Sequence, residues 1–183
     1  MDSWQGHLLL AAPRLLDPNF RRTVVLLVQH NDEGALGLVL NRPTKARINE
    51  VWSQISESPC ASEAVIHLGG PVEGPLMAVH HVEQLSDTQV APGIYFTPEP
   101  AKIQQLVNSE DTPARLFVGY AGWGAGQLEH EMREGAWFTT PATIEYVFGQ
   151  FDDLWEAAFK QLGQNSVFAG LKIPHVPPDL RMN

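Results

Sequence analysis

Two hydrophobic periods run along this chain, and together they predict its elements. Continuous apolar runs bounded by turn residues predict buried strands at Gly6–Ala12, stopped by Pro13, and at Thr23–His30 (TVVLLVQH). The second run is followed by Asn31-Asp32-Glu33-Gly34 and then by Ala35–Leu40, a hairpin pattern with a short glycine-bearing loop, closed by Asn41-Arg42-Pro43. Leu15–Arg22 is the irregular link that carries Asp17-Pro18. Ile48, Val51, Trp52 and Ile55 recur at helical spacing and predict an amphipathic helix, after which Ser56–Ser62 is a polar loop. Val65–Leu68, Leu76–Val82 and Gly93–Phe96 predict further strands, the first two separated by a turn-rich segment from Gly69 to Pro75.

Two helix starts follow from capping chemistry. Thr97-Pro98 and Thr140-Pro141 each set a hydroxyl before a proline at the first helical position, with Ile103, Leu106 and Val107, and then Ile144, Val147 and Phe148, as the apolar stripes behind them. Asp153 and Glu156 form an N-cap and capping-box pair for a last helix with Leu154, Ala158 and Leu162 on its core face and a stop at Gly163. Strands and helices do not alternate regularly. The expected class is therefore α+β, a single domain over residues 1–163 with a C-terminal tail over 164–183.

The stretch LFVGYAGWGAGQLEHEMREGAW (Leu116–Trp137) draws most attention for function. Leu116–Val118 reads as a strand, Gly119–Gly126 as a glycine-spaced turn, and a helix is expected from Gly124 or Ala125 to a stop at Gly135. Ala125, Leu128 and Met132 fall on one arc of that helix; Gln127, His130, Glu131 and Glu134 fall on the other. A strand, a turn and a helix start can cradle an anion. The specific phosphate motifs are nevertheless absent: Gln127 stands where a dinucleotide fingerprint starting at Gly122 needs glycine, and no Lys-Ser/Thr pair makes a P-loop. The plainer alternative is a close packing joint between helix and strand.

Composition narrows the function classes. The chain has 183 residues, 44% of them hydrophobic and 18% charged, as in an ordinary globular domain. Twelve basic against 21 acidic residues give a net charge of −9, which disfavours nonspecific contact with nucleic acid or anionic membrane. Cys60 is the only cysteine, so no intrachain disulfide and no cysteine-based metal cluster can form, and a reducing cytoplasm is the expected compartment. The N-terminal segment has Asp2 where a signal peptide carries basic residues, and no run reaches the length of a membrane span. The seven histidines show no zinc spacing, so no metal and no cofactor is expected. No G-x-S-x-G elbow is present. A recognition helix after Lys102–Ser109 is ruled out by the apolar Ala114–Trp123, so no direct nucleic acid binding is expected.

Three blocks, HLLLAAPRLLDPNFRRTVVLLVQHNDEGALGLVLNRP (His7–Pro43), HLGGPV (His67–Val72) and Leu116–Trp137, closely resemble the bacterial YqgE/AlgH family in order and spacing. The resemblance implies a compact cytoplasmic domain built on a bulged, partly barrel-like, mixed or antiparallel sheet flanked by helices. The family is largely uncharacterised and often labelled a transcriptional regulator, a label that describes an effect on expression. Its members often carry a cysteine where this chain has Val28; Cys60 does not occupy the matching place.

Two candidate regions result. Ligand contacts are expected from His30, Asn31, Asn41, Arg42, Gly69, Gly70, Pro71, Gly122, Trp123, Gly124, Gln127 and Glu131. His30 has a plainer role as a hairpin cap, Glu129 and Glu131 as a solvated helix face, and Trp123, Trp137 and Trp155 as core anchors. If the hairpin forms, Arg21 and Arg22 entering it lie near Arg42, Lys45 and Arg47 leaving it, a patch suited to an anion. The leading expectation is a non-enzymatic protein, monomeric or a small homo-oligomer, that binds a small ligand or protein partner and affects gene expression indirectly. The rival is an enzyme with a pocket at Gly119–Gly126. The ligand, the regulated genes and any reaction are not written in the sequence.

Overall fold

A computed structural model describes residues 3–109 and 113–168. Its strands are β1 (His7–Ala11), β2 (Val24–Asn31), β3 (Gly34–Val39), β4 (Pro43–Arg47), β5 (Val65–Leu68), β6 (Val72–His80), β7 (Thr88–Ala91), β8 (Ile94–Thr97), β9 (Ala114–Gly124) and β10 (Trp137–Pro141). The helices are α1 (Ile48–Val51), α2 (Pro100–Val107), α3 (Gln127–Arg133), α4 (Ile144–Phe148) and α5 (Leu154–Phe168).

These strands form one sheet in the order β10-β1-β2-β3-β9-β6-β8-β7, with β5 pairing both β4 and β9. Only the β5–β9 pairing is parallel among the described strands. The sheet curls: Gln5, just before β1, donates its Nε2 to the Gln89 carbonyl on β7 at 3.2 Å, although the two strands lie far apart in the sheet order. The expected α+β domain with a bulged, partly barrel-like, mixed or antiparallel sheet is thus the fold observed, antiparallel but for the β5–β9 pairing among the described strands.

Strand alternation decides what each face buries. Leu8, Leu10, Val24, Leu26, Val28, Met77, Val79, Phe96 and Phe117 face the inside of the curl, where Val147, Leu154, Trp155, Ala158 and Phe159 cover them. The opposite side chains of the same strands form two outer clusters. Leu9, Val25, Leu27, Trp123 and Trp137 pack under Leu128 of α3. Ile66, Leu76, Ala78 and Leu116 pack under Ile48 and Trp52 and under Ile103 and Leu106 of α2.

A bulge in β2 changes this alternation. Leu27 pairs with Gly37 but Gln29 pairs with Leu36, so Val28 is the extra residue. An inserted residue transfers the following side chains to the other face, which turns His30 toward α3.

Several expected boundaries are corrected. Gly119–Gly126 is not a turn: β9 runs on to Gly124, only Ala125 and Gly126 turn, and α3 starts at Gln127 behind Gly126 in the left-handed region (φ 73°). Antiparallel pairing with β3 from Gly34↔Gly124 to Gly37↔Ala121 holds the segment extended. Both Thr-Pro pairs are strand ends; helix α2 starts with Pro100 behind Glu99, and α4 is capped by Thr143, whose hydroxyl accepts the Tyr146 N–H. Gly163 does not stop α5, which continues to Phe168. A helical glycine costs stability but ends a helix only where the chain leaves helical angles. The tail beyond Phe168 lies outside the described residues.

Candidate functional site

The chain after β3 builds the site. Asn41 takes the place of a pairing partner for β2: its Oδ1 accepts the Val24 N–H at 3.0 Å and its Nδ2 donates to the Arg22 carbonyl at 2.8 Å. Arg42 then donates an Nη2 hydrogen to the Arg21 carbonyl at 2.6 Å, so the segments entering and leaving the hairpin are tied together. Leu68 N–H donates to the Arg42 carbonyl at 2.8 Å, and Pro43 pairs with His67, which brings β5 beside them. Arg115, near the start of β9, reaches the same place through Nη1 to the Leu40 carbonyl at 3.1 Å and Nη2 to the Gly149 carbonyl at 2.8 Å.

Arg21, Arg22, Asn41, Arg42, His67 and Arg115 line a cleft of about 1020 Å³ together with Phe148–Leu154. Its size suits a metabolite rather than a lone ion. Arg21, Arg22, Arg42 and Arg115 line it, with Asp152 and Asp153 as acids, so four positive charges face two negative in a chain of net charge −9.

The arginines are not equivalent. Arg22 is engaged: it pairs with Asp153 at 2.5 Å and stacks over the Trp155 ring at 4.2 Å, on a backbone in the left-handed region (φ 54°). Arg42 and Arg115 are half-buried, and burial holds both guanidinium pKa values below the ordinary arginine value. Their hydrogen bonds go to carbonyl oxygens, and among the described residues neither lies in an ion pair. A guanidinium has five donors in a planar fork, and carbonyls occupy only part of each here. His67 lines the cleft beside them, with a buried Nδ1 that makes no hydrogen bond of ordinary geometry. Its pKa is lowered by burial and then by the Arg115 charge, partly offset by the backbone of Leu116 and Val65.

The second expected region does not converge on this cleft. At the far end of the sheet, His30 is buried, stacked on Trp4, accepts the Trp4 N–H on Nδ1 at 3.0 Å and meets Glu129 Oε1 through Nε2 at 2.9 Å. That pattern assigns the Nε2–H tautomer and engages both ring nitrogens. Asn31 accepts the Glu33 N–H within the hairpin loop. Glu131 Oε2 accepts both indole N–H groups, Trp123 at 2.9 Å and Trp137 at 2.8 Å, while Gln127 spans from the Gly124 N–H at 3.1 Å to Glu131 Oε1 at 3.1 Å. The expected solvated face at Glu129 and Glu131 is therefore corrected: α3 is two turns long and lies flat on the sheet, so carboxylates on either side of Leu128 both reach it.

Gly69 and Gly70 are a packing joint against β9. A Cβ on Gly69 would stand 2.3 Å from the Gly119 carbonyl oxygen, and one on Gly70 2.2 Å from the Tyr120 carbonyl carbon. Pro71 is exposed, and Gly122 and Gly124 lie in β9, paired with Leu36 and Gly34 of β3. None of His30, Gly69–Pro71 or Gly119–Glu131 lines the cleft. Of the basic patch, Arg21, Arg22 and Arg42 do; Lys45 and Arg47 do not, because β4 carries them away along its pairing with β5, where Arg47 donates to the Glu63 carbonyl.

An AlgH-like family model matches residues 8–167. The chain belongs to the AlgH-like family. Among its relatives are a UPF0301 protein of Chlorobaculum tepidum, 38% identical over 165 residues and 86% of each chain, and one of Ruegeria pomeroyi, 37% identical over 93% of this chain and 97% of the other. Among solved structures, the solution structure of the AlgH protein from Pseudomonas aeruginosa superposes with a TM-score of 0.73 at 32% identity, covering 95% of this chain and 96% of that one. A crystal structure of a Corynebacterium diphtheriae protein gives 0.69 at 26% identity over 88% and 87%. The AlgH-like assignment accounts for the curled sheet; these names specify no reaction.

Proposed function

We propose that this AlgH-like chain is a non-enzymatic cytoplasmic binding protein whose site is the basic cleft, whose ligand is a small anionic metabolite, and whose effect on gene expression is indirect. The observation that carries the reading is the pair of half-buried guanidiniums, Arg42 and Arg115, held by carbonyl oxygens and without a carboxylate partner among the described residues. Burying a charge without a counter-charge is costly, and an anion lying between two guanidiniums offsets that cost for both. Support for the absence of catalysis comes from the other region, where His30, Glu129, Gln127 and Glu131 are all engaged in holding α3 on the sheet.

Calorimetric titration of the purified protein with inorganic pyrophosphate, beside Arg42→Ala, tests the reading. Saturable binding by the natural protein, weakened at least tenfold in Arg42→Ala, is expected, since each lost charge-assisted contact contributes about 1.5–3 kcal/mol. Equal binding by both proteins, or none by either, contradicts it.

A further inference from the structure

The cleft presents more than two guanidiniums. His67 sits on β5 with Pro43 as its register partner on β4, one residue from Arg42, and with Phe117 as its partner on β9, two residues from Arg115. Its ring packs on Phe117 with centroids 5.6 Å apart, which fixes the imidazole against the sheet. Nδ1 is buried on the side of the Val65 and Leu116 backbone, and the ring lines the same wall as two arginines with unused donors.

The charged groups around this ring come from every element that meets there. Arg115 stands on β9, Arg42 at the start of β4, Arg21 and Arg22 before β2, and Asp152 and Asp153 between α4 and α5, with Asp153 engaged by Arg22. With three guanidiniums besides Arg22 and one unengaged acid, the surroundings oppose a charged imidazole in the free protein, in keeping with the direction set by burial and by Arg115.

A carboxylate offers its acceptors in one plane, whereas a tetrahedral oxyanion offers them in three or four directions out of any one plane. The wall here carries three donor groups, on Arg42, Arg115 and His67. Resting on the cleft being an anion site, we infer that its ligand carries a tetrahedral dianionic group, a phosphate ester, held between Arg42 and Arg115 with His67 as a third donor that takes up a proton as the dianion enters. The proton comes from solvent and no covalent bond changes. A dianion beside the ring favours the imidazolium, so affinity falls as pH rises through the histidine range.

The test uses sulfate, which is tetrahedral and dianionic but does not itself titrate at these pH values, so any proton taken up belongs to the protein. Sulfate affinity and the His67 ring resonances of the full chain are followed by NMR between pH 5.5 and 8, with acetate as the carboxylate control. The inference predicts sulfate binding that weakens roughly tenfold across that range, a His67 ring that becomes protonated on sulfate addition near pH 6.5, and acetate binding at least tenfold weaker. His67→Gln, which keeps a donor of similar reach, is expected to bind sulfate with no pH dependence, and a melting curve like the natural protein's shows that it folds. Sulfate binding that Arg42→Ala weakens but that involves no proton uptake, or that His67→Gln leaves pH-dependent, overturns the role of His67 while the cleft stands as an anion site. Acetate binding as tight as sulfate overturns the phosphate class. Failure of sulfate, pyrophosphate and acetate alike overturns the cleft reading and this inference with it.

Discussion

Acid should destabilise this fold in part through His80, and that share of the loss can be sized. His80 is fully buried on β6; its Nδ1 accepts the Val82 N–H at 3.2 Å, so Nε2 carries the proton, and that N–H is buried without a partner among the described residues. Burial pushes its pKa down to about 4 from 6.5; Asp87 opposes the shift and Lys102 adds to it. A histidine depressed in the folded state is protonated first in the unfolded chain. Between the two values the unfolded state therefore binds more protons, and stability present above the unfolded value is lost as pH falls toward the folded one. For those two values, lowering the pH from 7 to 5 removes about 2 kcal/mol. His80→Leu leaves the Val82 N–H unpaired, a cost of about 1 kcal/mol, but that cost is the same at both pH values. Urea denaturation of both proteins at pH 7 and 5 should thus give a gap that favours the variant by about 2 kcal/mol more at pH 5. Parallel losses in the two proteins would refute the assignment.

Other perturbations separate packing from binding. Gly119→Ala places a Cβ 2.8 Å from the Val72 carbonyl oxygen on a backbone with φ +70°, and should cost about 2 kcal/mol or more in denaturant melts, whereas Gly124→Ala meets only the Gln127 Oε1 at 4.0 Å and should cost under about 1 kcal/mol. Gln127→Ala removes the bridge from Gly124 to Glu131; a loss of about 1 kcal/mol in stability with unchanged pyrophosphate affinity is expected by calorimetry. Cys60→Ser, at a half-buried position packed on the outer cluster under α2, should leave melting within about 1 kcal/mol and anion binding unchanged.

Much of the fold was legible because its apolar runs are long and its turns are marked. The β2–β3 hairpin and β5 lie where the turn signal Asn31–Gly34 and the run Val65–Leu68 predict them. β4, β7 and β10 were not legible: Pro43–Arg47 and Thr88–Ala91 are short and largely polar, and Trp137–Pro141 ends in a proline tolerated only at a strand's edge. The glycines of β9 were misread because glycine signals both turns and close backbone approach, and the approach of Gly69 and Gly70, in the β5–β6 connection, to Gly119 on β9 shows which applies there. At the cleft, local sequence placed Arg21, Arg22 and Arg42 together through the hairpin. Arg115 could not be placed with them, since it arrives through a parallel pairing of β5 and β9 nearly fifty residues apart. The lone arginine opening the apolar run Leu116-Phe117-Val118 was the available signal, and it does not say where it points.

The central claim, that the basic cleft is the ligand site, is tested most directly by mapping backbone amide shifts of the isotopically labelled protein as pyrophosphate is added. The account predicts saturable shifts confined to Arg21 and Arg22, Asn41 and Arg42, His67, Arg115 and Gly149–Asp153. Shifts centred instead on Gly124–Glu131 and His30, or none at millimolar pyrophosphate, would contradict it.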